Sequence, residues 1–315
     1  MSSLFILGNG FDIAHGIPTK YSDFRSFIIK LYPESLKFRD RTVSLQEAVN
    51  IASDEFAAEI LLNTLDKVAG KDWCDFEDAL AYTNFNNKLP LPNYGDDEDD
   101  HALMKDYLLY MDVLTSGFIN CTKLWQDFFR IWLKDVQRQI DNNQFNSKDV
   151  LAALFSQPDA QFLTFNYTKT LQRLYGIKKV IHIHNRVGQK LIFGHGRDNV
   201  IYDQFSTEFS DGPHLSSSML DDMIMSFRKD TESPFKKYDG FFRKLNRKID
   251  KIYSYGFSYG KVDSVYIKKI ISKIAPDATW LFSAFEAQSP EALRIKKVKL
   301  RKYGFKGSFD IYTGC

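Results

Sequence analysis

Apolar positions along the chain fall into two patterns, short unbroken runs and stripes at helical spacing. Leu4-Phe5-Ile6-Leu7 is an unbroken run of the kind that forms a strand buried on both faces of a parallel sheet. From there to about residue 155 the spacing is helical. Phe24, Phe27, Ile28 and Leu31 mark a helix that starts near Ser22 or Asp23 and stops at Pro33. Val49, Phe56, Ile60, Leu61 and Leu65 mark a second helix, from Leu45 to Val68, ended by Gly70. A long helix over Ala102–Ile140 carries a wide apolar stripe that includes Trp125, Phe129, Trp132 and Val136, which suits a core or an oligomer interface.

Beyond residue 155 the rhythm changes to strands alternating with helices. Strands are predicted at 161–165, 179–184, 190–193, 251–257, 279–285 and 308–312, and helices at 168–175, 215–228, 235–249, 263–275 and 289–302. This order predicts an α/β fold: a Rossmann-like parallel sheet covered by helices, with a large helical insertion after the first strand. The sheet domain takes residues 1–30 and 156–315, and the insertion takes 31–155.

Composition narrows the picture. With 315 residues, 44% of them hydrophobic and 15% aromatic, the chain can bury a large core, which excludes a disordered chain. Cys74, Cys121 and Cys315 are too few and too scattered for a disulfide framework or a cysteine zinc site, so a reducing, cytoplasmic setting is expected. There is no basic leader, and no apolar run approaches the ~20 residues of a membrane helix, so neither a signal peptide nor a membrane is expected. Residues 86–101 hold two prolines, one glycine and five consecutive acids, which predicts a mobile acidic loop near 90–101.

Charge is unevenly spread. Residues 1–150 carry 15 Lys/Arg against 24 Asp/Glu, whereas residues 151–315 carry 27 against 16. Solvated helix faces would account for this. So would an acidic surface meeting a basic one within the molecule or between copies, or a basic C-terminal half that binds nucleic acid.

Ligands of open parallel sheets sit at the carboxyl ends of strands. Here the predicted strands run into Gly8-Asn9-Gly10, Asn166-Tyr167-Thr168, His184-Asn185, Gly194-His195-Gly196 and Gly256-Phe257-Ser258. These are small, polar or catalytic types. The first is not a complete dinucleotide fingerprint, because Ile13 stands where the third glycine belongs.

The longer pattern Gly8-Asn9-Gly10-Phe11-Asp12, His15-Gly16, Thr19, Tyr21 and Asp23-Phe24 resembles the AbiH family of bacterial phage abortive-infection proteins, and the chain is identified as a member of it. Trp73, Phe76, Glu77 and Leu80 match a further element of that pattern, making Glu77 a candidate site residue. The first motif also resembles the NAD-binding segment of sirtuins, G-A-G-x-S-x-x-x-G-I-P-D-F-R, with four extra residues, Thr19 to Ser22. Thr164-Phe165-Asn166-Tyr167-Thr168 resembles the T-x-N-x-D segment of sirtuins, His184-Asn185 their catalytic H-G, and Gly256-Phe257-Ser258, followed by Asp263, their adenosine-side loop.

The resemblance implies a sirtuin-like site that takes NAD as substrate and needs no metal. Gly8, Asn9 and Gly10 would face the pyrophosphate, and Asp23 and Arg25 the nicotinamide ribose. Asn166 would hold water or ribose, His184 would act as general base, and Gly256 and Ser258 would hold the adenosine. Hydrolysis to nicotinamide and ADP-ribose, released by a phage-derived trigger, would then drain the cofactor. Three positions depart from the pattern: Asp12 replaces its serine, Thr168 its aspartate and Asn185 its glycine. A catalytically silent nucleotide sensor, for NAD or a related adenine nucleotide, is therefore one alternative. Another is a metal-dependent nuclease or phosphodiesterase built on His182 and His184 with His195, Asp198 or Asp12. His15 would touch ligand or make a structural hydrogen bond.

Overall fold

A computed structural model describes residues 2–36, 53–82, 100–198 and 215–313. The acidic loop expected near 90–101 falls mostly outside them, as do the start of the helix expected from Leu45 and Cys315. The chain divides into two compact units, one of Met1–Lys20, Leu133–Ile192 and Lys229–Cys315, the other of Tyr21–Trp132 and Phe193–Arg228.

The first unit holds a six-stranded, all-parallel sheet of β1 (Ser2–Leu7), β2 (Gln161–Thr164), β3 (Ile181–His182), β4 (Ile249–Tyr255), β5 (Thr279–Ser283) and β6 (Ser308–Tyr312). Their spatial order is β3-β2-β1-β4-β5-β6, that of a doubly wound dinucleotide-binding sheet. Leu4 and Ile6 point to one face and Phe5 and Leu7 to the other, and all four are fully buried, as an unbroken apolar run requires. Phe5 and Leu7 pack with Phe11, Leu151, Phe155 and Leu171 from helices in the first half of the winding. Leu4 and Ile6 pack with Tyr266, Ile267, Ile270, Leu293 and Leu300 from helices in the second half. Right-handed crossovers put the two halves on opposite faces. The order reverses between β1 and β4, and ligand crevices of open sheets lie at such a reversal.

Three local expectations need correction. A short helix, Asn9–Ala14, follows β1 at once, well ahead of helix Tyr21–Leu31. Residues 190–193 form no strand; they sit between Gly188 and Gly194, both with positive φ, and Ile192 donates its N–H to the His184 carbonyl. The helix expected over 235–249 is two short ones, Ser233–Lys237 and Asp239–Lys244, interrupted at Tyr238, and Ile249 already begins β4.

The second unit is helical around an aromatic core. Phe24 of helix Tyr21–Leu31 packs edge-on against Trp73, Phe76 and Phe129 and meets Trp132 at 5.2 Å. Helix Asp54–Ala69 begins at an N-cap, Ser53, whose side chain accepts the Phe56 N–H, and ends at Gly70 with φ 65°. The Arg25 guanidinium forks onto both oxygens of Asp66 at 2.7 Å, and the Trp73 indole N–H donates to the same carboxylate.

Candidate active site at the carboxyl edge of the sheet

At the reversal, the backbones after β1 and β4 touch. Gly8 donates its N–H to the Tyr255 carbonyl and Gly10 donates to that of Gly256, both at 3.0 Å. A Cβ on Gly8 would lie 2.6 Å from the Gly256 oxygen, and one on Gly10 would lie 2.6 Å from the Gly256 Cα. Gly256 has φ 65°, and a Cβ on it would lie 2.4 Å from Gly10. The three glycines are therefore required by the approach of two turns to each other. Asn9 donates from Nδ2 to the Thr19 carbonyl at 2.7 Å and so ties down the loop after the first helix.

Beside them lies a buried polar cluster. Asp12, one per cent exposed, accepts a short hydrogen bond from the Thr168 hydroxyl, which also meets the Thr170 hydroxyl at 3.0 Å. Burial raises the Asp12 carboxyl to about 6, against the pull of the Thr168, Thr170 and Asn166 side chains. Among the described residues its other oxygen, Oδ1, has no partner, and neither has Oδ1 of the buried Asn166. Two adjacent segments thus present acceptors with nothing to accept from, an arrangement that is rare in buried sites.

On the other face, Phe165 stacks on Phe257 at 4.1 Å and meets the His184 ring edge-on. His184 is buried, and its Nε2 lies 3.0 Å from Asp263 Oδ1. The Lys229 ammonium lies 3.3 Å from Oδ1 and 3.5 Å from Oδ2 of the same carboxylate. Burial pushes Asp263 up, but the Lys229 ammonium and the hydrogen bond from His184 outweigh it and hold the carboxyl well below the usual range. An ionised Asp263 accepts the Nε2–H, which leaves the ring's lone pair at Nδ1.

The other histidines with described side chains, His15, His182 and His195, are held by hydrogen bonds. His182 Nδ1 donates to the Asn166 carbonyl and Nε2 accepts from the Gln172 amide, and burial lowers the ring to about 4. His15 bridges the Phe11 carbonyl and the Tyr175 hydroxyl, and its ring is lowered, mainly by burial. In the second unit His195 is held by the Ile224 carbonyl and the Arg197 N–H. With both nitrogens engaged, neither His182 nor His195 has a lone pair for a metal, and no group of three His, Cys, Asp or Glu suited to a metal occurs among the described residues.

The remaining candidates divide. Asp23 and Arg25 belong to the second unit, where Arg25 is held by Asp66. Glu77 accepts a hydrogen bond from Tyr21 at 2.9 Å within that unit. Ser258 is exposed, and its carbonyl accepts from Lys299. Helix Pro290–Lys302 is basic, yet Arg294 pairs with Glu291, Lys296 with the buried Glu286, and Arg301 lies over Phe309. Sequence reasoning missed Lys229 altogether and gave Asp263 no partner. No spacing signal could have joined residues 34 and 79 positions apart.

Among the described residues no helix is long and apolar enough to cross a membrane. No curated protein and no solved structure matches the chain. The family described as bacteriophage abortive infection AbiH matches residues 4–284, most of both units, and the chain belongs to that family.

Proposed function

We propose that this abortive-infection protein binds NAD at the carboxyl edge of β1, β2 and β4 and hydrolyses its nicotinamide–ribose bond. The observation that carries the reading is the bond between Asp12 and Thr168. In the sirtuin motifs that the sequence resembles, the first segment has a hydroxyl and the second a carboxylate. Here the two groups have changed places and meet, so the pair keeps one of each. Two of the three departures from the motif are then a single exchange.

The unpartnered Asp12 and Asn166 oxygens suit ribose hydroxyls, which are donors of matching number. Breaking the bond passes through an oxocarbenium-like state, which needs a held ribose, a placed water and a base. Nicotinamide leaves as a neutral molecule while the water oxygen bonds to C1′, and the water's proton passes to His184 Nδ1. Asp263, hydrogen-bonded to Nε2, holds the ring in place.

The test is incubation of purified protein with NAD, with and without EDTA, with nicotinamide read by chromatography. Release that persists in EDTA and falls ~100-fold or more in His184→Ala and Asn166→Ala proteins of unchanged circular dichroism is the expected result. Full release by both variants would remove the site assignment. Release abolished by EDTA would favour the metal-dependent alternative.

A further inference from the structure

We propose that Lys229 is a positioning residue, whose buried ammonium keeps Asp263 ionised and thereby fixes the His184 ring with its lone pair at Nδ1. The role of that lone pair as base rests on the proposed NAD hydrolysis; the geometry does not. Three side chains from distant parts of the first unit converge, with side-chain exposures of 1% for Lys229, 4% for His184 and 12% for Asp263. The His184 ring packs against Phe165 and Tyr266, and the buried Asp263 carboxylate has little water to stabilise its charge, so that without a cation it would take up a proton.

The consequence falls on the ring. A protonated Asp263 donates its O–H to Nε2, and the ring proton then resides on Nδ1. An ionised Asp263 without Lys229 is neutralised instead by a second proton on the ring itself. Either way Nδ1 loses its lone pair. The Lys229 ammonium beside an ionised carboxylate favours a neutral His184 with Nδ1 bare. The other ionisable groups nearby do not substitute for Lys229. Burial and the charge of Asp263 push the Tyr266 and Tyr303 hydroxyls up, so both stay neutral, and Asp230 acts on Tyr266 with the same sign.

The test needs no substrate. Nitrogen NMR of protein labelled at histidine reads the protonation of each ring nitrogen, with His184 identified by its absence in His184→Ala. At neutral pH the native protein should show His184 with Nε2 protonated and Nδ1 bare. Lys229→Met should abolish the bare Nδ1 signal and lower nicotinamide release about tenfold or more, and Lys229→Arg should restore both. His15 and His182, doubly hydrogen-bonded elsewhere, should keep their signals, which reports that the fold is retained. Should Lys229→Met fail to fold, Lys229→Arg with a bare Nδ1 beside Asp263→Asn without a fixed one makes the same case. A bare Nδ1 that survives in Lys229→Met, or a native ring protonated at Nδ1, overturns the proposal. Spectra that behave as expected in a protein releasing no nicotinamide would uphold the positioning and refute only the NAD reading.

Discussion

Two carboxylates, the buried Asp12 of the sheet unit and the half-buried Asp66 of the helical unit, are treated in opposite ways. Asp66 in the helical unit is saturated: the Arg25 fork occupies both oxygens and the Trp73 indole adds a third donor. Asp12 in the sheet unit has neutral hydroxyls for company, an oxygen with no partner and a carboxyl raised to about 6. A carboxylate that only holds a fold together is given its full set of donors. One left short, next to a second open acceptor, is able to take donors from a ligand. The contrast separates two residues of one motif, because Arg25 belongs to the saturated site and Asp12 to the open one.

The largest effect is expected at the glycine contact that flanks Asp12. Gly256→Ala puts a methyl 2.4 Å from the Gly10 backbone at a φ of 65°, so a loss of about 4 kcal/mol or outright failure to fold is expected in urea denaturation. A mild effect there would mean the two turns are not locked together. Arg25→Ala takes the guanidinium from Asp66, leaving it the Trp73 donor, and should remove about 3 kcal/mol, with any loss of activity following the loss of folded protein. If Arg25→Ala kept its stability and lost only activity, Arg25 would belong to the site after all.

The smallest effect is a pH dependence. His182, lowered to about 4 from 6.5, binds fewer protons folded than unfolded, so its contribution is complete above about 6.5 and lost as pH falls toward 4. Asp12, raised to about 6 from 3.8, binds more protons folded, so its contribution grows as pH falls through 6. The two oppose, and the native protein should change by less than about 1 kcal/mol from this pair between pH 7 and 4. In Asp12→Asn the histidine acts alone, and melts across the same range should show a loss of about 3 kcal/mol.

Much of the fold was legible because its signals are local. The unbroken run Leu4–Leu7 announces a strand buried on both faces, and Ser53 and Gly70 cap a helix as their types suggest. What failed depended on partners far along the chain. Residues 190–193 have the apolar content of a strand but make only a single backbone bond, Ile192 to His184, and pair with no strand among the described residues, and the turn at Tyr238 divides an otherwise helical stretch. The glycines of the first motif are legible as a turn after a strand, but their close contact with Gly256 has no local signal. Asn166 and His184 were legible as polar types after strands, whereas Lys229 has no local signature and is recognisable only by the carboxylate it meets.

The central claim is that Asp12 is left short of donors because a ligand supplies them. Scanning calorimetry of the native protein and Asp12→Asn, with and without NAD, tests it most directly. The account predicts that Asp12→Asn, relieved of a buried and poorly satisfied charge, melts several degrees higher at pH 7, since ~2 kcal/mol corresponds to such a shift in a protein of this size. It also predicts that NAD raises the native melting temperature and leaves that of Asp12→Asn unchanged. A variant that melts lower than the native protein and still responds to NAD would contradict it.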